Sequence, residues 1–304
     1  MRHEELEISE KKYQIKASIK IPSNVDSKFG IILSHGGIIN RQSLLRENSS
    51  FGEYLCRKLD AFVIAPDFEG ETIHSTEPTF KNFSDIVNIT TNYFVETYNL
   101  ESIVGFGHSM GCFRLAGALP MNDYIDSIVN YGGPITELMK PKQKSYLNYL
   151  INYISNYKYK LDIKHLMKHI FDKETMNYLQ EVMYKDDIYC SNNYNYNVNL
   201  SWYLELKELI DDYLDLIKNW NKPALLLYGT EDGVTKDTLS YYPDNYVDNN
   251  ILFRHIQGAS HITPCMDSNS QLSKLNIVVN YFNNIKNASL KTDSKSCAIF
   301  KTST

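Results

Sequence analysis

Six short, almost purely apolar runs constrain this chain more than any other feature: Gly30 to Ser34 (G-I-I-L-S), Ala61 to Ala65 (A-F-V-I-A), Ser102 to Phe106 (S-I-V-G-F), Ser127 to Asn130 (S-I-V-N), Ala224 to Tyr228 (A-L-L-L-Y) and Ile251 to Ile256. Runs of strand length without polar alternation suit strands covered on both faces, the environment of a parallel sheet. Stretches with helical spacing lie between them, over Ser43 to Lys58, Phe83 to Tyr98 and Met110 to Leu119, and a further one, Ser268 to Ile285, follows the last run. Strand and helix in alternation predict a doubly wound α/β sheet, whose ligand chemistry sits at the carboxyl ends of its strands. Tyr13 to Ile21 (Y-Q-I-K-A-S-I-K-I) does alternate, and is predicted as an antiparallel edge strand with one wet face.

The alternation stops between Pro134 and Asn221, where Lys, Tyr, Asn and Asp dominate and the apolar spacing is helical. We read residues 134–220 as an inserted helical cap on a core made of residues 1–133 and 221–286, followed by a loose polar tail over 287–304. At 304 residues and 43% apolar content the chain can bury one large core. A net charge of -5 with no Lys/Arg block gives no electrostatic footprint for nucleic acid. No window approaches the roughly 18 continuous apolar residues of a membrane span. The charged opening M-R-H-E-E-L-E-I-S-E lacks the apolar stretch of a signal peptide, so a soluble, cytoplasmic protein is expected. Five cysteines without a C-x-x-C pair fit reduced thiols better than disulfides or a zinc site.

The run Ser102 to Phe106 leads directly into G-H-S-M-G at 107–111, and helix-compatible residues follow. Strand, G-x-S-x-G, then helix is the setting of a nucleophile elbow, a tight turn that lifts the Ser109 hydroxyl clear of the sheet. Gly107 and Gly111 would leave room where a side chain would collide with strand or helix. By itself the motif fits a helix N-cap at Ser109 equally well. Two other features favour the nucleophile. The run Gly30 to Ser34 ends in His35, Gly36 and Gly37, and glycines just past a strand let backbone N–H groups face a cleft. Asp232 follows one strand in G-T-E-D-G-V, and His261 follows the next in G-A-S-H-I-T-P. Ser, acid and His in that order describe a triad in which His261 takes the Ser109 proton and Asp232 orients the imidazole.

In H-G-G, G-H-S-M-G, G-T-E-D-G-V and G-A-S-H the chain resembles the α/β-hydrolase superfamily, particularly its capped serine hydrolases, over about residues 1–133 and 221–286. The resemblance implies a mostly parallel eight-stranded sheet with an inserted helical cap. It implies an oxyanion hole formed by the N–H groups of Met110 and Gly37, with no metal or cofactor. It also implies a small-molecule acyl substrate: a carboxylic ester or thioester cleaved through an acyl-serine, or alternatively an amide or terminal peptide bond, or acyl transfer to an acceptor. A non-catalytic binding protein is the rival from another class. The segment A-P-D-F-E-G-E-T departs from the family in lacking a second glycine soon after Gly70.

Other residues compete for the same roles. Glu231 and Glu137 are rival acids. His74 stays a candidate base, whereas His255 lies inside a strand, His108 should point away from Ser109, and His35 suits a brace for the oxyanion loop. His165 and His169 share a helical face without a third ligand, which favours a solvated surface over a metal site. Cys112 is expected to pack in the helix after the elbow, and Trp202 and Trp220 belong to the cap aromatics.

Overall fold

The structure is a computed structural model that describes residues 1–10, 13–36, 40–68, 80–133, 212–235 and 239–289. Its strands are β1 (Arg2–Glu10), β2 (Tyr13–Ile21), β3 (Phe29–Ser34), β4 (Phe62–Pro66), β5 (Ser102–His108), β6 (Ile125–Tyr131), β7 (Ala224–Gly229), β8 (Val247–Asp248) and β9 (Ile251–Ile256). The helices are α1 (Phe51–Leu59), α2 (Phe80–Tyr98), α3 (Met110–Ala118), α4 (212–220), α5 (Asn269–Leu272) and α6 (Asn276–Ser289). All nine strands join one sheet in the order β1-β2-β4-β3-β5-β6-β7-β9-β8. From β4 to β9 the pairing is parallel, and antiparallel strands flank this block on both sides.

The six apolar runs become parallel strands for a reason visible residue by residue. In β3, Ile31 and Leu33 face the layer containing Leu55 of α1 and Phe282 of α6, while Ile32 faces the layer containing Val87 of α2 and Leu115 of α3. Leu225 and Leu227 of β7 divide from Leu226 in the same way. A strand between two helical layers needs an apolar side chain at every position, so its period-2 signal disappears.

Three expectations need correction. The sheet has nine strands rather than eight, because the two-residue β8 adds an antiparallel edge beside β9. The wet edge is β1 rather than β2: the charged opening segment pairs along its whole length with β2, and of its side chains Ile8 is the buried one. In β2, Ser18 and Lys20 are buried, Ser18 within the ion-pair cluster described below. The helix predicted from Ser43 begins at Phe51, where Ser50 caps it by accepting from the Glu53 N–H. The Glu53 carboxylate in turn accepts from the Ser49 N–H at 2.8 Å. The first bond satisfies a donor that a helix start otherwise leaves unpaired, and the second ties the residue before the cap to the first turn.

Helix α6 extends through Ser289, and the rest of the predicted tail lies outside the described residues. So does the predicted cap up to residue 211. Its last turns form α4, whose Tyr213 and Ile217 are buried, with the Tyr213 ring edge to face with Phe113 of α3 at 5.1 Å. Among the described residues, no helix is long and apolar enough to cross a membrane.

Candidate active site

The strand order reverses direction at β3 and β5, which are adjacent although β4 and α2 intervene in sequence. Such a reversal leaves a crevice beyond the strand ends that is not roofed by a crossover. His35 follows β3, and Ser109 stands at the junction of β5 and α3.

Ser109 adopts φ 53° and ψ -121°. A positive φ costs a side-chain-bearing residue free energy that surrounding contacts must offset. Those contacts are present: the Ser109 N–H donates to the Tyr131 carbonyl at 2.9 Å, and its own carbonyl accepts from Cys112 at 3.0 Å. A Cβ on Gly111 would come within 2.0 Å of the Ser34 carbonyl oxygen, and one on Gly107 within 2.7 Å of the Cys112 Cα. Helix α3 therefore lies too close to β3 and β5 for any residue larger than glycine at either position. The Ser109 hydroxyl makes no capping bond to α3. This removes the helix-cap reading that the motif alone left open. Met110 is the first residue of α3, so the helix offers its N–H no partner and places the positive end of its dipole here.

The structure brings Asp232 and His261 together. Their turns leave the adjacent parallel strands β7 and β9, and His261 Nδ1 lies 2.9 Å from Asp232 Oδ2. Asp232 is fully buried. Oδ1 accepts from the N–H groups of Val234 at 2.8 Å and Thr235 at 3.1 Å, and Oδ2 also accepts from the Thr235 hydroxyl at 2.7 Å. Burial alone would raise this carboxyl, but the nearby His261 and these hydrogen bonds outweigh it and hold Asp232 below its ordinary value. A carboxylate accepts only, so Nδ1 of His261 carries the proton and Nε2 presents its lone pair.

The rival acid Glu231 is exposed. His255 bonds through its ring to the Tyr242 carbonyl at 2.7 Å. Cys112 is buried under the elbow, and burial raises its thiol. His35 is buried with Nδ1 2.8 Å from the Gly36 carbonyl, and its own carbonyl accepts from Arg114 at 2.8 Å. Gly37, Glu137, His74, His165, His169 and Trp202 lie outside the described residues, whereas Trp220 is partly buried at the end of α4.

The sequence profile of the α/β hydrolase fold family matches residues 31–264, most of the chain. The chain belongs to that family. Among solved structures, this α/β hydrolase is similar to a thermophilic esterase from Thermogutta terrifontis, with TM-score 0.61, 17% identity, and coverage of 92% of this chain and 99% of the other. It is also similar to a carboxyl esterase from Bacillus coagulans (TM-score 0.66, 14% identity, 94% and 99% covered). A bromoperoxidase from Bacillus anthracis matches as well (TM-score 0.58, 16% identity, 92% and 99% covered). No curated protein matches the sequence significantly. Likeness at this level of identity establishes the fold.

Several residues that shape the site escaped the sequence reading. Gly132, at φ 64°, lies where a Cβ would come within 3.1 Å of both Asp232 Oδ2 and His261 Nδ1. Its signal was present, since Y-G-G at the end of β6 repeats the pattern of H-G-G at the end of β3. The buried Asp67 and Arg41 form a chain with the exposed Glu5 beside the segment that follows β3. Arg41 N donates to Asp67 Oδ1 at 2.8 Å, its guanidinium pairs with Asp67 Oδ2, and its Nη2 lies 2.6 Å from Glu5 Oε2. These residues are far apart in sequence, so no local pattern marks them. Among the described residues, no cluster of three or more His, Cys, Asp or Glu could hold a metal ion.

Proposed function

We propose that this α/β hydrolase is a serine hydrolase that cleaves a carboxylic ester or thioester through an acyl-Ser109 intermediate. The observation that carries the reading is the strained Ser109 backbone, which holds a hydroxyl that caps nothing at the strand end beside the His261–Asp232 pair. A serine hydroxyl is a poor nucleophile unless a base takes its proton.

In this mechanism Ser109 Oγ attacks the acyl carbonyl carbon while its proton passes to His261 Nε2. Asp232 holds the imidazole in the tautomer that can accept it and stabilises the resulting imidazolium. The oxyanion is received by the Met110 N–H at the positive end of α3, with Gly37 as the second donor. Collapse breaks the bond to the leaving alcohol or thiol, which departs with the proton from His261. Water then attacks the acyl-enzyme, giving its proton to His261, and the acid leaves as the proton returns to Ser109.

Residues 134–220 belong to the same proposal as a cap inserted between β6 and β7. Supporting this, α4 docks at the end of β6, where the Tyr213 hydroxyl accepts from Asn130 Nδ2 at 2.7 Å. A cap in that place would wall the pocket and exclude water. Turnover of p-nitrophenyl acyl esters and acyl thioesters of increasing chain length tests the reading. Ser109→Ala is expected to lower kcat by at least about 10⁴-fold on every substrate the native protein cleaves. Comparable turnover by native protein and variant would exclude the acyl-serine route.

A further inference from the structure

His108 immediately precedes the nucleophile, is buried beneath it, and takes no part in the proton transfers above. Its Nε2 lies 2.8 Å from the main-chain oxygen of His261. A carbonyl only accepts, so Nε2 carries the proton. Burial, and then the adjacent His261, hold the His108 imidazole down to about 3, so the ring keeps one N–H and Nδ1 is bare. Cys265 Sγ lies 3.7 Å from that Nδ1, and burial pushes the thiol up to about 12, which keeps an S–H available to it. The two imidazoles stand with ring centroids 5.3 Å apart.

Other contacts hold the same loop from the same side. The Tyr131 hydroxyl donates to the Ser260 carbonyl at 2.6 Å, and the Ser260 N–H donates to Thr263 Oγ1 at 2.9 Å. Among the described residues, the titratable groups around His108 and His261 include Asp232 from the β7 turn, Tyr131 from β6, Cys265 from the segment after His261, and His35 from the end of β3.

We propose that His108 is a positioning residue: its Nε2–H bond to the His261 carbonyl ties the main chain of the base to the strand end that carries Ser109. Residues 108 and 109 are covalent neighbours, so this single bond connects the backbone of the nucleophile to the backbone of the base. The Asp232 bond acts on the imidazole ring, whereas the His108 bond acts on the main chain at His261 itself, next to the Tyr131 contact to Ser260. Displacement of a reacting group by an ångström is enough to cost a large factor in rate.

The inference rests on Ser109 and His261 being nucleophile and base, and its test has one arm that needs no substrate. The low-field NMR signal of the His261 Nδ1 proton, bonded to Asp232, is compared in native protein, His108→Phe and His108→Gln. Hydrolysis of p-nitrophenyl butyrate is measured on the same samples. His108→Phe removes the donor and is expected to shift or broaden the signal and to lower kcat by up to about 100-fold, with KM changed by less than about twofold. His108→Gln places an amide N–H near the position of Nε2 and is expected to keep the signal and most of kcat. Should His108→Phe fail to give a native circular dichroism spectrum and melt, His108→Leu takes its place.

An unchanged signal or an unchanged kcat in the folded apolar variant overturns the proposal, as does equal loss in His108→Gln. If the native protein shows the signal but hydrolyses nothing, the esterase reading fails, and the comparison of signals still decides the tether.

Discussion

Ser109 holds a conformation that most residues avoid, at φ 53° and ψ -121°. Strain of this kind costs on the order of 1–3 kcal/mol and persists where the surroundings over-determine it. Ser109→Gly is therefore expected to raise stability by about 1 kcal/mol while abolishing turnover, and Ser109→Ala to abolish turnover with no such gain. Urea unfolding of the two variants checks this, and equal midpoints would mean that the turn stores no strain. Asp232 makes its own prediction. Asp232→Asn keeps the shape but cannot hold Nδ1–H as a carboxylate does, so kcat should fall by about 10⁴-fold with a native near-ultraviolet spectrum. A loss of less than tenfold would point to another acid. Ser109, Asp232 and His261 were legible because each follows an apolar strand in a short motif. Gly132 left a local trace in Y-G-G, but its role and that of His108 depend on loops from β6, β7 and β9 meeting in space, which local spacing does not record.

Among the elements, β1 and α1 were misread for opposite reasons. An edge strand buries little, and Glu4, Glu5 and Glu7 hide the apolar positions of β1 among charges. In α1 the signal was present: S-F-G-E at 50–53 is a capping box, and it outweighs the helical spacing seen upstream. The cluster of Glu5, Ser18, Arg41 and Asp67 ties β1 and β2 to the chain that follows β3. Burial would raise the Glu5 carboxyl, but hydrogen bonds from His3, Arg41 and Ser18 outweigh it and bring it from 4.5 down to about 2. A carboxyl lowered by folding stabilises above its unfolded value and loses that contribution as pH falls through the folded one. The stability difference between native protein and Glu5→Gln should thus be complete above about pH 5 and shrink toward pH 2. Urea midpoints measured across this range decide it, and a difference independent of pH would contradict the pairing.

At the scale of the molecule, a continuous apolar strand is ambiguous in isolation and becomes definite once helices cover both faces. That is why the doubly wound core was readable from composition and order alone, while strand ends and the ninth strand needed the pairing itself. The same burial governs acid stability. His35 and His108 are buried, and burial, followed by Arg114 for His35 and by His261 for His108, keeps both neutral well below the ordinary histidine range. The unfolded chain takes up protons near pH 6.5 that the folded chain refuses, so stability is held above that pH and lost below it. His108 should contribute a slope approaching about 1.4 kcal/mol per pH unit between roughly pH 6 and 4, measured by urea unfolding, and His108→Gln should remove that contribution.

The central claim is that Ser109 is the activated nucleophile of this fold, and covalent labelling with a fluorophosphonate probe tests it most directly. Intact-mass analysis should show one phosphonyl group per chain, peptide mapping should place it on Ser109, and Ser109→Ala should remain unlabelled. A native protein that resists the probe, or a Ser109→Ala variant that is still labelled, would contradict the account.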